Sequence, residues 1–77
     1  MTTQTTTVTV FANEMHYNEV ASSMYKMYVN SNFTIEQTEF NAWSVTCEGM
    51  TEAELICELE HDLLELYNLH IEGFFIA

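Results

Sequence analysis

The chain has 77 residues, of which 48% are hydrophobic, so it can form one small core and has no room for a second domain. It holds twelve acidic residues and one basic residue, Lys26, which gives a formal net charge of −11 at pH 7. This balance argues against direct binding to DNA, RNA or an anionic membrane surface, because such partners are bound by several Lys and Arg side chains. A macromolecular partner is therefore expected to be basic.

The first strongly patterned stretch, TTTVTVFA from Thr5 to Ala12, alternates in polarity and is rich in β-branched residues, which predicts a strand. The next stretch, NEMHYNEVASSMYKMYVN, repeats apolar residues with helical spacing and predicts a helix. Asn13 or Asn18 is the candidate N-cap of this helix. The residues expected on its apolar side are Tyr17, Val20, Ala21, Met24, Met27 and Tyr28.

The segment NFTIEQTEFNAWSVTCEG predicts two strands joined by a short turn. Phe33 and Ile35 alternate with polar residues before a break at residues 39–41, and the same alternation resumes from Trp43 to Cys47. A two-stranded hairpin is therefore expected in the middle of the chain.

The four residues TEAE match a capping box and predict the start of a second helix. In this motif the Thr51 hydroxyl accepts from the Glu54 amide, while the Glu54 carboxylate accepts from the Thr51 amide. We expect this helix to run from Glu52 to Tyr67 and to end near Asn68, which tolerates the left-handed conformation. Its apolar side is expected to contain Leu55, Ile56, Leu59, Leu63, Leu66 and Tyr67. The last stretch, HIEGFFIA, predicts a final strand.

The resulting order of strand, helix, strand, strand, helix and strand resembles the ferredoxin-like fold over nearly the whole chain. The resemblance implies a single α+β domain, residues 1–77, with a four-stranded antiparallel sheet and both helices on one face. The other sheet face is then open, and an apolar open face usually binds a partner. This fold supports many activities, so it does not identify a function.

One side of the second predicted helix is acidic and has no lysine or arginine. Like charges at i and i+4 cost a few tenths of a kcal/mol per pair, so the pattern requires a reason. Successive carboxylates rise about 6 Å, which is comparable to the spacing of charge along a nucleic-acid strand. A row of this kind can imitate phosphates, whereas a face kept acidic for solubility usually includes both signs of charge. The predicted partner-binding residues are Glu48, Glu52, Glu54, Glu58, Asp62 and Glu65.

Other kinds of site are not expected. Potential metal ligands lie one helical turn apart at Glu58, His61 and Glu65. A di-iron site needs a second motif of this kind and further glutamates, and zinc usually takes three or four Cys or His ligands. We expect no metal and no cofactor. The strands lack the aromatic, Lys/Arg-rich and Gly-rich motif with which this fold binds RNA. No residue has the setting of a catalytic nucleophile, and Cys57 is expected to pack in the helix, so we expect no enzyme.

The two cysteines, Cys47 and Cys57, form no CxxC motif, and reduced thiols are expected. The N-terminal stretch MTTQTTTVTV is neither basic nor apolar enough for a signal peptide, and no apolar run approaches the roughly 20 residues of a membrane span. We expect a soluble cytoplasmic protein that does not bind membranes.

In its size, its acidic helix row and its lack of basic residues, the chain resembles the small acidic proteins with which bacteriophages disable host defence, the anti-CRISPR proteins and other DNA mimics. The resemblance implies a stoichiometric inhibitor that acts in the cytoplasm of an infected bacterium. It implies that the partner is a Lys/Arg-rich nucleic-acid-binding protein such as a CRISPR effector. The alternative is a small dimeric scaffold or assembly module that joins through its sheet face or through the edge strand FFIA.

Overall fold

Two helices lie on one face of a four-stranded antiparallel sheet in the computed structural model, which describes residues 4–77. The order of strands across the sheet is β2-β3-β1-β4, so the predicted α+β class and the βαββαβ order of the ferredoxin-like fold are confirmed. The elements are β1 (Thr5–Ala12), α1 (Tyr17–Asn30), β2 (Thr34–Glu39), β3 (Ala42–Glu48), α2 (Glu52–His61) and β4 (Phe74–Ile76).

The alternation of β1 determines which face of the sheet is buried. Val8 and Val10 are buried and lie opposite Val45 and Trp43 of β3, whereas Thr7 is exposed on the other face. Both helices contribute to the same core as these strand residues, and each buried aliphatic side chain contributes about 1.5–3 kcal/mol. The helical residues of this core are Val20, Met24, Met27, Leu55, Leu59 and Leu63.

The chain enters α1 through a 3₁₀ turn, Glu14–His16, that the sequence pattern did not predict. Asn13 caps this turn: its side-chain oxygen accepts from the Met15 amide at 3.4 Å, and its side-chain amide donates to the Glu72 carbonyl at 3.1 Å. The prediction that Tyr28 lies on the apolar side of α1 is wrong, since its exposed fraction is 56%.

The capping box at the start of α2 is confirmed. The Glu54 amide donates to the Thr51 hydroxyl at 3.2 Å, and the Thr51 amide donates to the Glu54 carboxylate at 3.1 Å. The chain leaves the helical segment at Asn68, whose φ of 56° is the left-handed conformation that the sequence predicted.

The last turn of the second helical segment differs from the prediction. Residues Asp62–Leu66 form a π-helical turn, in which the Tyr67 amide donates to the Asp62 carbonyl at 3.1 Å. The wider turn shifts the helical period, so Leu66, which was expected in the core, is 66% exposed. Leu69 is buried instead, and its amide donates to the carbonyl of the buried Leu63 at 2.9 Å.

The final strand is shorter than predicted, because the chain first turns at residues 70–73. The Gly73 amide donates to the His70 carbonyl at 2.8 Å, and the Gly73 carbonyl accepts from the Asn13 amide at 2.8 Å. These bonds align β4 beside β1 and make β4 one edge of the sheet.

Candidate functional site

The acidic residues of α2 begin at the capping box, where Glu54 has a structural role as well as a charge. The hydrogen bond from the Thr51 amide, with a contribution from the Thr51 hydroxyl, lowers the pKa of Glu54 below its usual value. Glu54 is therefore ionised and held in place at the start of the helix. A carboxylate in this first turn also interacts favourably with the helix dipole.

Glu58 lies one turn further along the same side of α2 and is exposed. Among the described residues its carboxylate makes no hydrogen bond and no ion pair, in contrast to that of Glu54. Its charge is therefore fully available to a partner.

The C-terminal part of the acidic row surrounds a histidine. His61 Nε2 lies 3.0 Å from a Glu65 carboxylate oxygen, and His61 Nδ1 lies 3.6 Å from an Asp62 carboxylate oxygen. The Asp62 side chain is only 23% exposed, whereas that of Glu65 is 72% exposed. Glu65 is therefore the more accessible of the two carboxylates.

Two of the predicted partner-binding residues lie away from this row. Glu48 is the last residue of β3 and lies opposite Thr5. The alternation of the strand places it on the sheet face that is turned away from the helices. Glu52 is exposed in the first turn of α2, but two residues correspond to a rotation of about 200°, so it lies on another side of the helix from Glu54. The structure thus brings together Glu54, Glu58, Asp62 and Glu65 along one helical segment.

The open face of the sheet is rich in hydroxyl groups. Thr7 and Thr46 hydroxyls lie 3.0 Å apart across β1 and β3, and Ser44 continues this surface. An apolar pair occurs only towards the β4 edge of the described strands, where Phe11 and Phe75 stack with ring centroids 4.7 Å apart. Most of this face is therefore polar, and only its β4 side offers aromatic surface.

An aromatic groove, which the sequence patterns did not predict, lies between α1 and β2. It has a volume of about 290 Å³ and is lined on its helix side by Tyr17, Tyr25 and Tyr28. Ile35 and Trp43 line its strand side. Tyr25 is 70% exposed, and its position off the predicted apolar side of α1 is the signal that could have indicated this groove.

The thiols and histidines differ in their surroundings. The prediction that Cys57 packs in the helix is wrong, since it is exposed, while Cys47 is half-buried. His16 and His70 stack with ring centroids 5.7 Å apart, and His16 Nδ1 lies 3.6 Å from a Glu19 carboxylate oxygen. Within residues 4–77, no three His, Cys, Asp or Glu side chains converge as metal ligands would.

Comparison with family models, curated protein sequences and solved structures found no match for this chain. In the part of the chain that the structure describes, neither helix has the length and apolar character needed to cross a membrane. The function is therefore inferred from the surfaces described above.

Proposed function

We propose that this protein is a non-catalytic inhibitor that binds a Lys/Arg-rich nucleic-acid-binding protein, with a CRISPR effector in the bacterial cytoplasm as the partner. The observation that carries the proposal is the row of Glu54, Glu58, Asp62 and Glu65 on one helical segment without a lysine or arginine. These carboxylates would occupy the positions of phosphates in a basic groove.

The distribution of charge along the segment supports this proposal. A carboxylate in the first turn, such as Glu54, stabilises a helix through the dipole and the cap. Carboxylates near the C-terminus, such as Asp62 and Glu65, are on the unfavourable side of the dipole, and His61 is the basic group beside them. Helix stability therefore does not account for the C-terminal half of the row, whereas binding to a basic surface does.

The one lysine of the chain leaves this field intact. Lys26 lies on α1 and lines a crevice with Glu19 and Asn68. Among the described residues it forms no ion pair within 4.0 Å. Association with a basic partner should therefore be fast and should weaken as salt is added, because salt screens attraction between exposed charges.

The variant Glu58→Lys tests the proposal. It replaces like-charge i, i+4 neighbours with opposite charges, so the free energy of unfolding should stay equal or rise by a few tenths of a kcal/mol. Binding to the partner should weaken strongly, because an attractive contact becomes repulsive. The readout is DNA binding by purified CRISPR effectors as a function of inhibitor concentration.

The matched control is Glu14→Lys, which changes the net charge by the same amount in the exposed 3₁₀ turn before α1. This control should inhibit as well as the parent. Equal inhibition by the parent, Glu58→Lys and Glu14→Lys would contradict the proposal, as would the absence of inhibition for every effector.

A second candidate function, a dimeric scaffold, is favoured by the exposed apolar residues near the β4 edge. Phe75 and Ile71, which line one crevice beside β4, are 60% and 69% exposed. Exposed apolar surface beside a sheet edge is typical of an interface. Sedimentation velocity of the parent and of Phe75→Ser tests this function: a concentration-dependent dimer that the substitution abolishes supports it, and a monomeric parent rules it out.

A further inference from the structure

The aromatic groove lies directly beside a second edge of the sheet. β2 is the outermost strand on the side opposite β4, and its side chains Ile35 and Gln37 line the groove together with Tyr25 and Tyr28 of α1. Both tyrosines are more than half exposed. Phe40, in the turn that follows β2, is 73% exposed and stacks on Tyr17 with ring centroids 4.4 Å apart. The groove and the strand edge therefore form one continuous surface.

The outer edge of β2 has backbone groups available for pairing. Among the described residues, β2 is paired with β3 along one edge, and no backbone hydrogen bond joins the other edge of β2 to another element. An extended segment can be added to such an edge as a further strand. The backbone bonds would supply affinity, and alternate side chains would supply specificity.

The two faces of β2 present different chemistry to such a segment. Ile35 and Gln37 belong to the groove side, whereas Glu36 lies opposite Ser44 on the hydroxyl-rich open face. Glu39, next to the irregularity in the β2–β3 register, adds a second exposed carboxylate at the end of the strand. Side chains of an added strand would therefore alternate between an aromatic groove and an acidic strip.

We propose that the β2 edge and the aromatic groove bind an extended segment of another protein in which Lys or Arg residues alternate with apolar residues. The apolar side chains pack against Tyr25 and Tyr28, and the basic side chains pair with Glu36 and Glu39. Lys26 does not neutralise this strip, since it lines a different crevice of α1. This surface is separate from the acidic row of α2, so the inference does not depend on the function proposed above.

The charges also select against a second copy of this chain as the occupant. In an antiparallel pair of β2 strands centred between Glu36 and Glu39, Glu36 of one molecule would lie opposite Glu39 of the other. Like charges opposite each other across strands are destabilising, and each molecule has a net charge of −11. A basic segment has the complementary charge.

A peptide of alternating Lys and Val residues is a direct probe, and Trp43 is a built-in reporter. Trp43 is the single tryptophan of the chain, and its buried side chain lines the groove. We expect a saturable change in Trp43 fluorescence with this peptide and no change with a peptide of alternating Glu and Val. Absence of a response to the Lys peptide would overturn the proposal.

Backbone pairing is tested with two further peptides that are N-methylated on alternate residues, one on the Lys positions and one on the Val positions. Only alternate amides of an added strand bond to β2. One of the two peptides should therefore lose binding while the other keeps it. Equal binding of both would show that the association is electrostatic without strand addition, and would overturn the proposal.

Two variants locate the surface. Glu36→Lys should weaken binding of the Lys peptide about fivefold or more, because an opposite-charge cross-strand pair becomes a like-charge one. Tyr25→Ser should also weaken it, and its exposed position leaves the fold intact. Glu72→Lys, with the same change in net charge in the exposed turn before β4 at the opposite edge of the sheet, is the matched control and should alter the affinity by less than about twofold. If Glu36→Lys and Glu72→Lys had the same effect, the β2 edge would not be the binding surface.

Discussion

Replacing the Thr51 hydroxyl tests whether the α2 capping box stabilises the fold as its geometry indicates. In Thr51→Ala the Glu54 amide loses its acceptor at 3.2 Å. Because Thr51 and Glu54 are exposed, water replaces part of this bond, and loss of an N-cap of this kind costs about 1 kcal/mol. For a domain of this size, that corresponds to a decrease of roughly 4–8 °C in melting temperature.

The assay is thermal and urea unfolding followed by far-ultraviolet circular dichroism at neutral pH. Thr51→Ser is the matched control, since it keeps the hydroxyl and should remain close to the parent. If Thr51→Ala and Thr51→Ser melted at the same temperature as the parent, the capping box would make no net contribution to stability.

The reciprocal hydrogen bond gives this prediction a pH dependence. The folded-state pKa of Glu54 is lowered by the Thr51 hydrogen bonds, so its contribution to stability is present above its unfolded pKa. That contribution is lost as the pH falls through the lower folded pKa. The difference in stability between the parent and Glu54→Gln should therefore be constant near neutral pH and shrink in acid. A difference that grew on acidification would refute the assignment.

Three further predictions follow from the core, the helix end and the net charge. Leu59→Ala removes a fully buried side chain and should cost about 2–5 kcal/mol, measured by urea unfolding. Asn68→Gly should preserve the melting temperature, whereas Asn68→Ala should lower it, because a φ of 56° costs alanine roughly 1–2 kcal/mol. Added NaCl should raise the melting temperature, because it screens the repulsion of a chain with a net charge of −11, and a decrease would contradict this explanation.

The parts of the fold that could be predicted from the sequence depend on local signals. In β1 and in the β2–β3 hairpin, the alternation of apolar and polar residues indicates which side chains face the core. The TEAE motif indicates where α2 begins. The π turn could not be predicted in this way. Its sequence continues a normal helical pattern, whereas the wider turn shifts the helical period so that Leu66 is exposed, and Leu69 is buried after the chain turns at Asn68.

The exposure of the acidic residues in the candidate site could be predicted, because charged side chains usually remain at the surface. Glu54, Glu58 and Glu65 are exposed on one helical segment, as their spacing predicts. The aromatic groove was not predictable, because it forms where α1 meets a hairpin distant in sequence. Tyr25 and Tyr28 both lie outside the core because of the rotation of α1 against the sheet, and periodicity alone does not determine this rotation.

The acidic residues contribute little to holding this fold together, which determines how variants should be interpreted. The core cluster contains no charged residue, and a net charge of −11 opposes compaction. Removing an exposed carboxylate at Glu36 or Glu58 should therefore leave the fold intact, so a loss of binding in these variants reports on the interface. Glu54 is the exception, because its carboxylate closes the capping box. Substitution of Glu54 changes stability and charge together, and a loss of binding in that variant cannot be assigned to the interface alone.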